Sequence, residues 1–159
     1  MGIDCVALRD CNTYGPRQTP AAYVGVTTHF VNALPRGEWP IVFDDGEQVR
    51  DCVYVGDVVE ANLRALETEA VNDCYNVGTG AAVTVNEILA LVAAELGVEP
   101  DPERRPAHPG ELRTFTADVS KAAERLGFRA RYSFADKVGE VVDHWRRVAA
   151  AGALPSLRT

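Results

Sequence analysis

The chain has 159 residues, about the length of one domain, and its 47% hydrophobic and 25% charged residues are ordinary values for a globular protein. Its formal net charge of −7 argues against a nucleic-acid partner, because binding to phosphates requires a basic face. No apolar run approaches the ~20 residues of a membrane span, and the four cysteines form no C-x-x-C pair, so we expect a cytoplasmic protein with reduced thiols and no membrane contact.

The predicted elements begin with a strand. Residues 3–8 are mostly apolar and indicate a buried strand that ends in the Gly15-Pro16 loop. A strand as apolar as this one needs neighbouring strands on both sides, so we expect the chain to be part of something larger. Residues 25–34 predict a helix that Pro35 stops. Short strands are then expected at residues 41–43 and 52–55.

The middle of the chain predicts a helix and a strand. Asp57 is the expected N-cap of a helix that runs to about Glu67. The apolar stripe of this helix consists of Val59, Leu63 and Leu66. A strand over residues 74–77 follows, and residues 78–80 close it with a glycine-rich turn.

The last third of the chain predicts three more helices. Thr84 and Glu87 form a capping box that starts a helix ending at Gly97. Residues 98–112 are rich in proline and predict an extended loop. Asp118 and Ser133 are the expected N-caps of two final helices. Apolar positions expected to face inward in the second of these are Phe134, Val138, Val141, Val142, Trp145 and Val148. This order of elements predicts a mixed α/β fold.

Several catalytic patterns are absent from the sequence. Gly78-x-Gly80 is the nearest match to a G-x-G-x-x-G turn, but Val83 occupies the third glycine position. No tyrosine is followed four residues later by lysine, and the three histidines are too scattered to indicate a metal site. We therefore assign no dinucleotide turn, no catalytic residue and no metal ligand.

Two arginines point to anion recognition. Arg50 precedes a strand and Arg113 follows a Pro-Gly turn, so the pair could clamp a diphosphate in a bidentate manner. The helix that starts near Gly25 would offer free backbone N–H groups to the same anion. From spacing alone, solvated surface arginines are the commoner explanation.

Four blocks in unbroken order resemble the extended short-chain dehydrogenase/reductases, which are NAD-dependent nucleotide-sugar epimerases and dehydratases. The blocks are NTYGPR at residues 12–17, FDDGEQVRDCVYVGDV at 43–58, YNVGTG at 75–80, and PGELR with ADVSKA at 109–113 and 117–122. The match covers roughly residues 3–147.

The resemblance implies that this chain corresponds to one part of that family's fold. Residues 1–150 look like the C-terminal part of such an enzyme, and residues 151–159 are a tail. The fold class implied is α/β, with the last strands of a Rossmann-type parallel sheet at residues 3–8 and 73–77 plus a small mixed α/β substrate-binding domain. The NAD-binding part, with its glycine-rich turn and Tyr-x-x-x-Lys pair, precedes this region in the family.

The resemblance also implies site residues. Asn12 matches a position near the sugar diphosphate, and Glu111 matches an acidic position near the ribose. The positions implied for the diphosphate are Gly25, Val26, Arg50, His108 and Arg113; those flanking the nucleobase are Ile41 and Phe43; and those beside the nicotinamide of NAD are Asp10 and Cys11.

Three departures from the family pattern affect these assignments. Asp10 and Cys11 replace a usual pair of aromatic residues, Asp44 replaces a glycine, and His108 stands where arginine is usual. Histidine is shorter than arginine and only partly charged at neutral pH, which weakens phosphate binding at that position.

The leading hypothesis is therefore the substrate-binding half of an NAD-dependent nucleotide-sugar 4-epimerase, which binds a UDP- or dTDP-sugar and is inactive alone. The alternatives are a 4,6-dehydratase or decarboxylase half, a non-catalytic sugar-nucleotide-binding module, and a decayed gene product. The strand at residues 3–8 would expose an unpaired edge, so we expect a homodimer, a strand swap, or a separate NAD-binding half as the partner.

Overall fold

The computed structural model describes residues 2–18, 25–107 and 109–152. The strands are β1 Val6–Asp10, β2 Asn12–Tyr14, β3 Ile41–Phe43, β4 Val49–Arg50, β5 Cys52–Tyr54, β6 Asp73–Val77, β7 Val83–Thr84 and β8 Glu103–Arg105. The helices are α1 Val26–Ala33, α2 Val55–Glu67, α3 Val85–Leu96, α4 Ser120–Arg125 and α5 Phe134–Ala150, with a 3-10 turn at Leu34–Arg36. None of these helices is long and apolar enough to cross a membrane. The mixed α/β prediction is confirmed.

Strands β1 and β6 form a parallel pair in which Val6 lies opposite Asp73 and Asp10 lies opposite Val77. The predicted strand at 74–77 is confirmed, whereas the first strand is shifted from 3–8 to Val6–Asp10 because its register follows β6. The prediction that this strand is buried is wrong. Its residues are half-buried or exposed, because β1 pairs with β6 alone among the described residues.

The remaining strands form short pairs around the chain's middle. β2 pairs with β5 and β3 pairs with β8, both in parallel, and β4 pairs with β7 antiparallel. The pairing of β8 with β3 corrects the prediction of a loop throughout residues 98–112. These pairs bring the ends of β2, β3 and β4 to one side of α1.

Helices α1, α3 and α5 enclose the first of two apolar cores. The capping box predicted at Thr84 is formed, and Ser133 is the N-cap of α5 as predicted, where it too forms a capping box, with Asp136. The inward-facing residues predicted for α5 are buried, except that Val148 is only partly so. The first helix differs slightly from its prediction, because Pro35 lies inside the 3-10 turn rather than stopping the helix.

The second core lies between β6, α4 and the inner side of α2. Tyr75, Val77 and Phe128 are almost completely buried there, together with Ala61 of α2. Asp118 is not the N-cap of α4, which is Val119, although its carboxylate still accepts the backbone N–H of Ser120 at 2.9 Å.

Helix α2 contradicts the predicted N-cap. Asp57 is not its N-cap, because the helix begins at Val55 and the Asp57 carboxylate turns inward to accept the backbone N–H groups of Arg131 and Tyr132 at 3.1 and 3.3 Å. Asp57 and Ala61 are fully buried, so they define the inner face. The apolar stripe therefore points outward, with exposed fractions of 55% for Val59, 52% for Leu63 and 83% for Leu66.

Candidate functional site

The candidate site is a cavity of about 530 Å³ between α1, β3 and β4. Seven residues implied by the sequence line it: Asn12, Gly25, Val26, Ile41, Phe43, Arg50 and Glu111. They come from five separate stretches of the chain, so only the tertiary fold brings them together. The volume suits a ligand of drug-like or nucleotide size.

Arg50 and Glu111 form the charged wall of the cavity. The Arg50 Nη2 donates to Glu111 Oε1 at 3.0 Å, and Nη1 donates to the backbone carbonyls of Val49 and Leu112 at 2.9 and 2.8 Å. Their side chains are only 20% and 24% exposed, so the guanidinium is held in one orientation and partly shielded from water. A fixed, shielded guanidinium is suited to bidentate binding of a phosphate or carboxylate.

The N-terminus of α1 faces the same cavity. Gly25 is its N-cap and supplies no side-chain hydrogen bond to the helix, and the first turn contains no acidic residue. The backbone N–H groups and the positive end of the helix dipole are therefore free of a competing carboxylate from their own helix. Together with Arg50, this end favours an anionic ligand.

Part of the cavity lining is apolar and aromatic. Trp39, which the sequence analysis did not single out, lines it with 55% of its surface exposed, next to Ile41 and Phe43. His29 also lines the cavity, and its burial lowers the pKa of its imidazole, which favours the neutral form. A flat, neutral, aromatic ligand group fits this part.

Gln48 is a second lining residue that sequence reasoning missed. It is 3% exposed, and its Nε2 donates to the Phe43 carbonyl at 2.6 Å, while its Oε1 has no hydrogen-bond partner among the described residues. An orphaned buried acceptor is rare and points to a ligand or an ordered water at this position.

Arg113 does not join the cavity wall. Its Nη1 donates to Asp44 at 2.9 Å and its Nη2 donates to Asp45 at 2.6 Å. The hydrogen bond from Arg113 and its positive charge lower the pKa of the Asp45 carboxyl. Asp44 has φ of +55°, in the left-handed region that favours the glycine usual at this position. His108, the other implied phosphate ligand, lies outside the described residues.

The two residues implied for NAD also lie outside the cavity. Asp10 is the last residue of β1 and Cys11 follows it, and the Cys11 N–H donates to the Val77 carbonyl at 2.8 Å. Burial raises the pKa of both groups, that of the Cys11 thiol to about 12. Neither residue lies at a helix N-terminus, which supplies the cluster of backbone N–H donors that a dinucleotide pyrophosphate requires. These two residues therefore do not hold NAD by themselves, and the described residues include no cluster able to hold a metal ion.

Asp51 is a buried acceptor that sequence reasoning did not identify. Its carboxylate is completely buried and receives the backbone N–H groups of Thr79, Gly80 and Ala117 at 2.8, 3.0 and 3.3 Å, and the Thr79 hydroxyl at 2.7 Å. It thus joins the β4–β5 corner next to Arg50 to the turn after β6. In the sequence, the feature that could have pointed to Asp51 is the adjacent charged pair Arg50-Asp51 directly before an apolar strand.

Residues 1–78 match the NAD-dependent epimerase/dehydratase family. The fold agrees: the chain superposes on the UDP-glucose 4-epimerase of Thermotoga maritima, solved with UDP-glucose, with a TM-score of 0.87 and 38% identity over 92% of this chain. The chain belongs to this family. The Rossmann-type α/β fold class expected from the resemblance is confirmed.

The curated relatives are named as epimerases, dehydratases and a decarboxylase. A putative UDP-glucose 4-epimerase of Methanocaldococcus jannaschii is 37% identical over 142 residues, which is 89% of this chain and 46% of the relative. A dTDP-glucose 4,6-dehydratase of an Actinoplanes species is 32% identical over 149 residues, 91% of this chain and 45% of the relative. The chain spans about half the length of these relatives and 47% of the Thermotoga maritima structure.

Proposed function

We propose that this chain is the substrate-binding half of an NAD-dependent nucleotide-sugar 4-epimerase, with residues 1–150 as that half. The observation that carries the proposal is the convergence of seven implied ligand-binding residues on one cavity with an anionic-ligand end and an aromatic end. Relatives named as UDP-glucose 4-epimerases support the choice of reaction. The ligand we propose is a UDP- or dTDP-sugar.

The diphosphate occupies the end formed by Arg50 and the N-terminus of α1 at Gly25 and Val26. Arg50, whose charge is partly balanced by Glu111, supplies guanidinium N–H donors in a fixed orientation, and the helix supplies backbone N–H donors and a partial positive charge. Glu111 accepts hydrogen bonds from the ribose hydroxyls, while Asn12 lies toward the sugar. None of these residues moves a proton or a hydride, so their contribution is binding and orientation.

We expect no epimerisation by the chain alone. This sequence has no Tyr-x-x-x-Lys pair to act as general base and no G-x-G-x-x-G turn to bind NAD. The chain incubated with UDP-glucose and NAD should form no UDP-galactose. Arg113 and His108 stay predictions as phosphate ligands, and Asp10 and Cys11 as neighbours of the nicotinamide.

Replacing Arg50 with alanine should weaken nucleotide-sugar binding about 10- to 100-fold, because hydrogen bonds to a charged group contribute roughly 1.5–3 kcal/mol. Isothermal titration calorimetry with UDP-glucose measures this, with dTDP-glucose, UDP and NAD as comparison ligands. The matched control is Arg146→Ala, since Arg146 bonds to the Glu95 carbonyl on α3, away from the cavity. Equal losses in both variants, or no binding by the parent chain, would contradict the proposal.

Replacing Trp39 with leucine should weaken binding of UDP and UDP-glucose about tenfold, because stacking of a base on an aromatic ring contributes roughly 1–3 kcal/mol. Intrinsic fluorescence offers an independent measurement, since the other tryptophan, Trp145, is only 4% exposed and does not line the cavity. UDP should quench the parent protein's emission and leave that of the variant unchanged. Quenching that persists in Trp39→Leu would contradict a base stacked at this end.

The second candidate function is a dTDP-glucose 4,6-dehydratase half, which the Actinoplanes relative favours. The same titrations separate the two, because the dehydratase half should prefer dTDP-glucose over UDP-glucose. A non-catalytic binding module remains the alternative if the chain binds a nucleotide sugar tightly and needs no partner.

A further inference from the structure

His29 lies on the cavity-facing side of α1. The residues of α1 and its N-cap that line the cavity are Gly25, Val26, His29, Phe30 and Ala33, and steps of three and four residues place them on one side of the helix. His29 is exposed, and its imidazole makes no hydrogen bond to another described residue. Both ring nitrogens are therefore open to a ligand in the cavity.

The position of His29 along α1 brings its side chain toward the end of the cavity that favours anions. His29 follows Val26 by three residues and the N-cap Gly25 by four, which is about one helical turn, or ~5.4 Å along the axis. Side chains on an α-helix tilt toward its N-terminus, so each one covers the turn that precedes its own Cα. The turn that precedes His29 is the one whose backbone N–H groups are free for an anion.

The other charged groups around His29 keep their charge near neutral pH. Glu38, Arg50 and Glu111 line the same cavity, and α1 carries no other charged residue. Helices α3 and α5 and the 3-10 turn also contact α1, but none of their charged residues lines the cavity. Glutamate and arginine ordinarily change charge far from neutral pH, whereas histidine changes between pH 5 and 8. Among the described cavity residues, His29 is therefore the one whose charge can respond to a ligand at neutral pH.

We propose that His29 is a further ligand-binding residue of this cavity and that its imidazole takes up a proton when the diphosphate of a nucleotide sugar binds. This inference rests on the proposed function and adds to it a third positive group, beside Arg50 and the N-terminus of α1. A protonated imidazole donates from a ring N–H to a phosphate oxygen, and a hydrogen bond between two charged groups is stronger than one between neutral groups.

Proton uptake makes binding tighter as the pH falls. In the free protein, burial holds the pKa of His29 below its ordinary value of 6.5, so the imidazole is neutral at pH 7.5. A bound diphosphate adds negative charge and offsets the charge of Arg50, and both effects raise the pKa of His29. Between the two pKa values only the complex holds the proton, so lowering the pH through this window favours the complex. The gain ends where the free protein is protonated as well.

The test is isothermal titration calorimetry with UDP-glucose at about pH 6 and about pH 8. A diphosphate esterified at both ends lacks the second ionisation near pH 6 of a terminal phosphate, so the ligand itself does not titrate in this range. The parent chain should bind roughly five- to tenfold more tightly at the lower pH, because an opposite charge nearby moves a pKa by about one unit or more. The binding enthalpy should also change with the ionisation enthalpy of the buffer, which reports the proton taken up. His29→Gln should bind within about twofold at the two pH values and show no buffer dependence.

The chain has three histidines, so the group that takes up the proton can be assigned by substituting each of them. The matched control is His144→Gln, because His144 lies on α5 beside Trp145, with ring centroids 5.4 Å apart, and does not line the cavity. It should keep the affinity and the pH dependence of the parent. In His108→Gln the readout is the ratio of the affinities at the two pH values, which should stay as in the parent.

Circular dichroism at both pH values checks that each variant is folded, as expected for a substitution at the exposed His29. Equal binding by the parent at the two pH values would overturn this inference, as would a pH dependence that survives in His29→Gln or disappears in His108→Gln. In each of these cases the proposed function would still stand, because the nucleotide sugar binds. No binding of UDP-glucose by the parent at either pH would contradict both.

Discussion

Replacing Asp51 with alanine should lower the free energy of unfolding by about 3–5 kcal/mol, because each buried donor left without a partner costs roughly 1–3 kcal/mol. The completely buried carboxylate accepts backbone N–H groups from Thr79, Gly80 and Ala117 and the hydroxyl of Thr79. Because Asp51 follows Arg50 directly, loosening this junction also loosens the charged wall of the cavity.

Urea unfolding followed by circular dichroism measures the Asp51 effect, and thermal melting should show a fall in Tm of about 10 °C. The matched control is Asp143→Ala on α5, where the carboxylate is 67% exposed and pairs with Arg146 at 3.5 Å. This control should change stability by less than about 0.5 kcal/mol. A loss below about 1 kcal/mol for Asp51→Ala would show that its hydrogen bonds do not hold the junction together.

Replacing Gly78 with alanine should destabilise the protein by about 2–3 kcal/mol, because the added Cβ has no room. It would lie 2.7 Å from Asp51 Oδ2 and 2.7 Å from Cys11 Sγ. Asp51 is held by its four hydrogen bonds, and Cys11 by its backbone bond to Val77, so neither atom yields without breaking a contact.

The control for Gly78 is Gly139→Ala, measured in the same unfolding experiment. Gly139 lies within α5, and its added Cβ would meet the flexible end of Glu95 at 3.2 Å. Alanine is favoured over glycine in a helix interior by roughly 0.5–1 kcal/mol, so this variant should be as stable as the parent or more stable. Similar losses for both variants would contradict close packing around Gly78 as the cause.

The helices with strong local signals were predictable from the sequence. Thr84 with Glu87 forms its capping box and Ser133 is an N-cap as expected, because a cap involves residues only three positions apart. The stripe of α5 is buried as its periodicity implies. The family could likewise be recognised from the sequence, because four motif blocks in a fixed order are far more specific than any one of them.

Most of the candidate cavity was predictable by resemblance, but its charge arrangement was not. Arg113 pairs with Asp44 and Asp45, which lie 69 and 68 residues earlier, and no pattern along the chain announces that contact. Trp39 and Gln48 were not predicted to line the cavity for a related reason. Each stands in a short irregular segment, where periodicity says nothing about which side chain faces a cavity.

The sequence by itself determined the family, the two capped helices and seven of the residues that line the cavity. Only the tertiary structure decided which way α2 faces, how exposed β1 is, and that Asp51 and Gly78 hold one buried junction. Local rules of capping and periodicity act within one or two turns of chain. Burial depends on which distant segments pack together: Asp57 turns α2 by bonding to residues 74 and 75 positions away, and the stripe of Val59, Leu63 and Leu66 faces outward as a result.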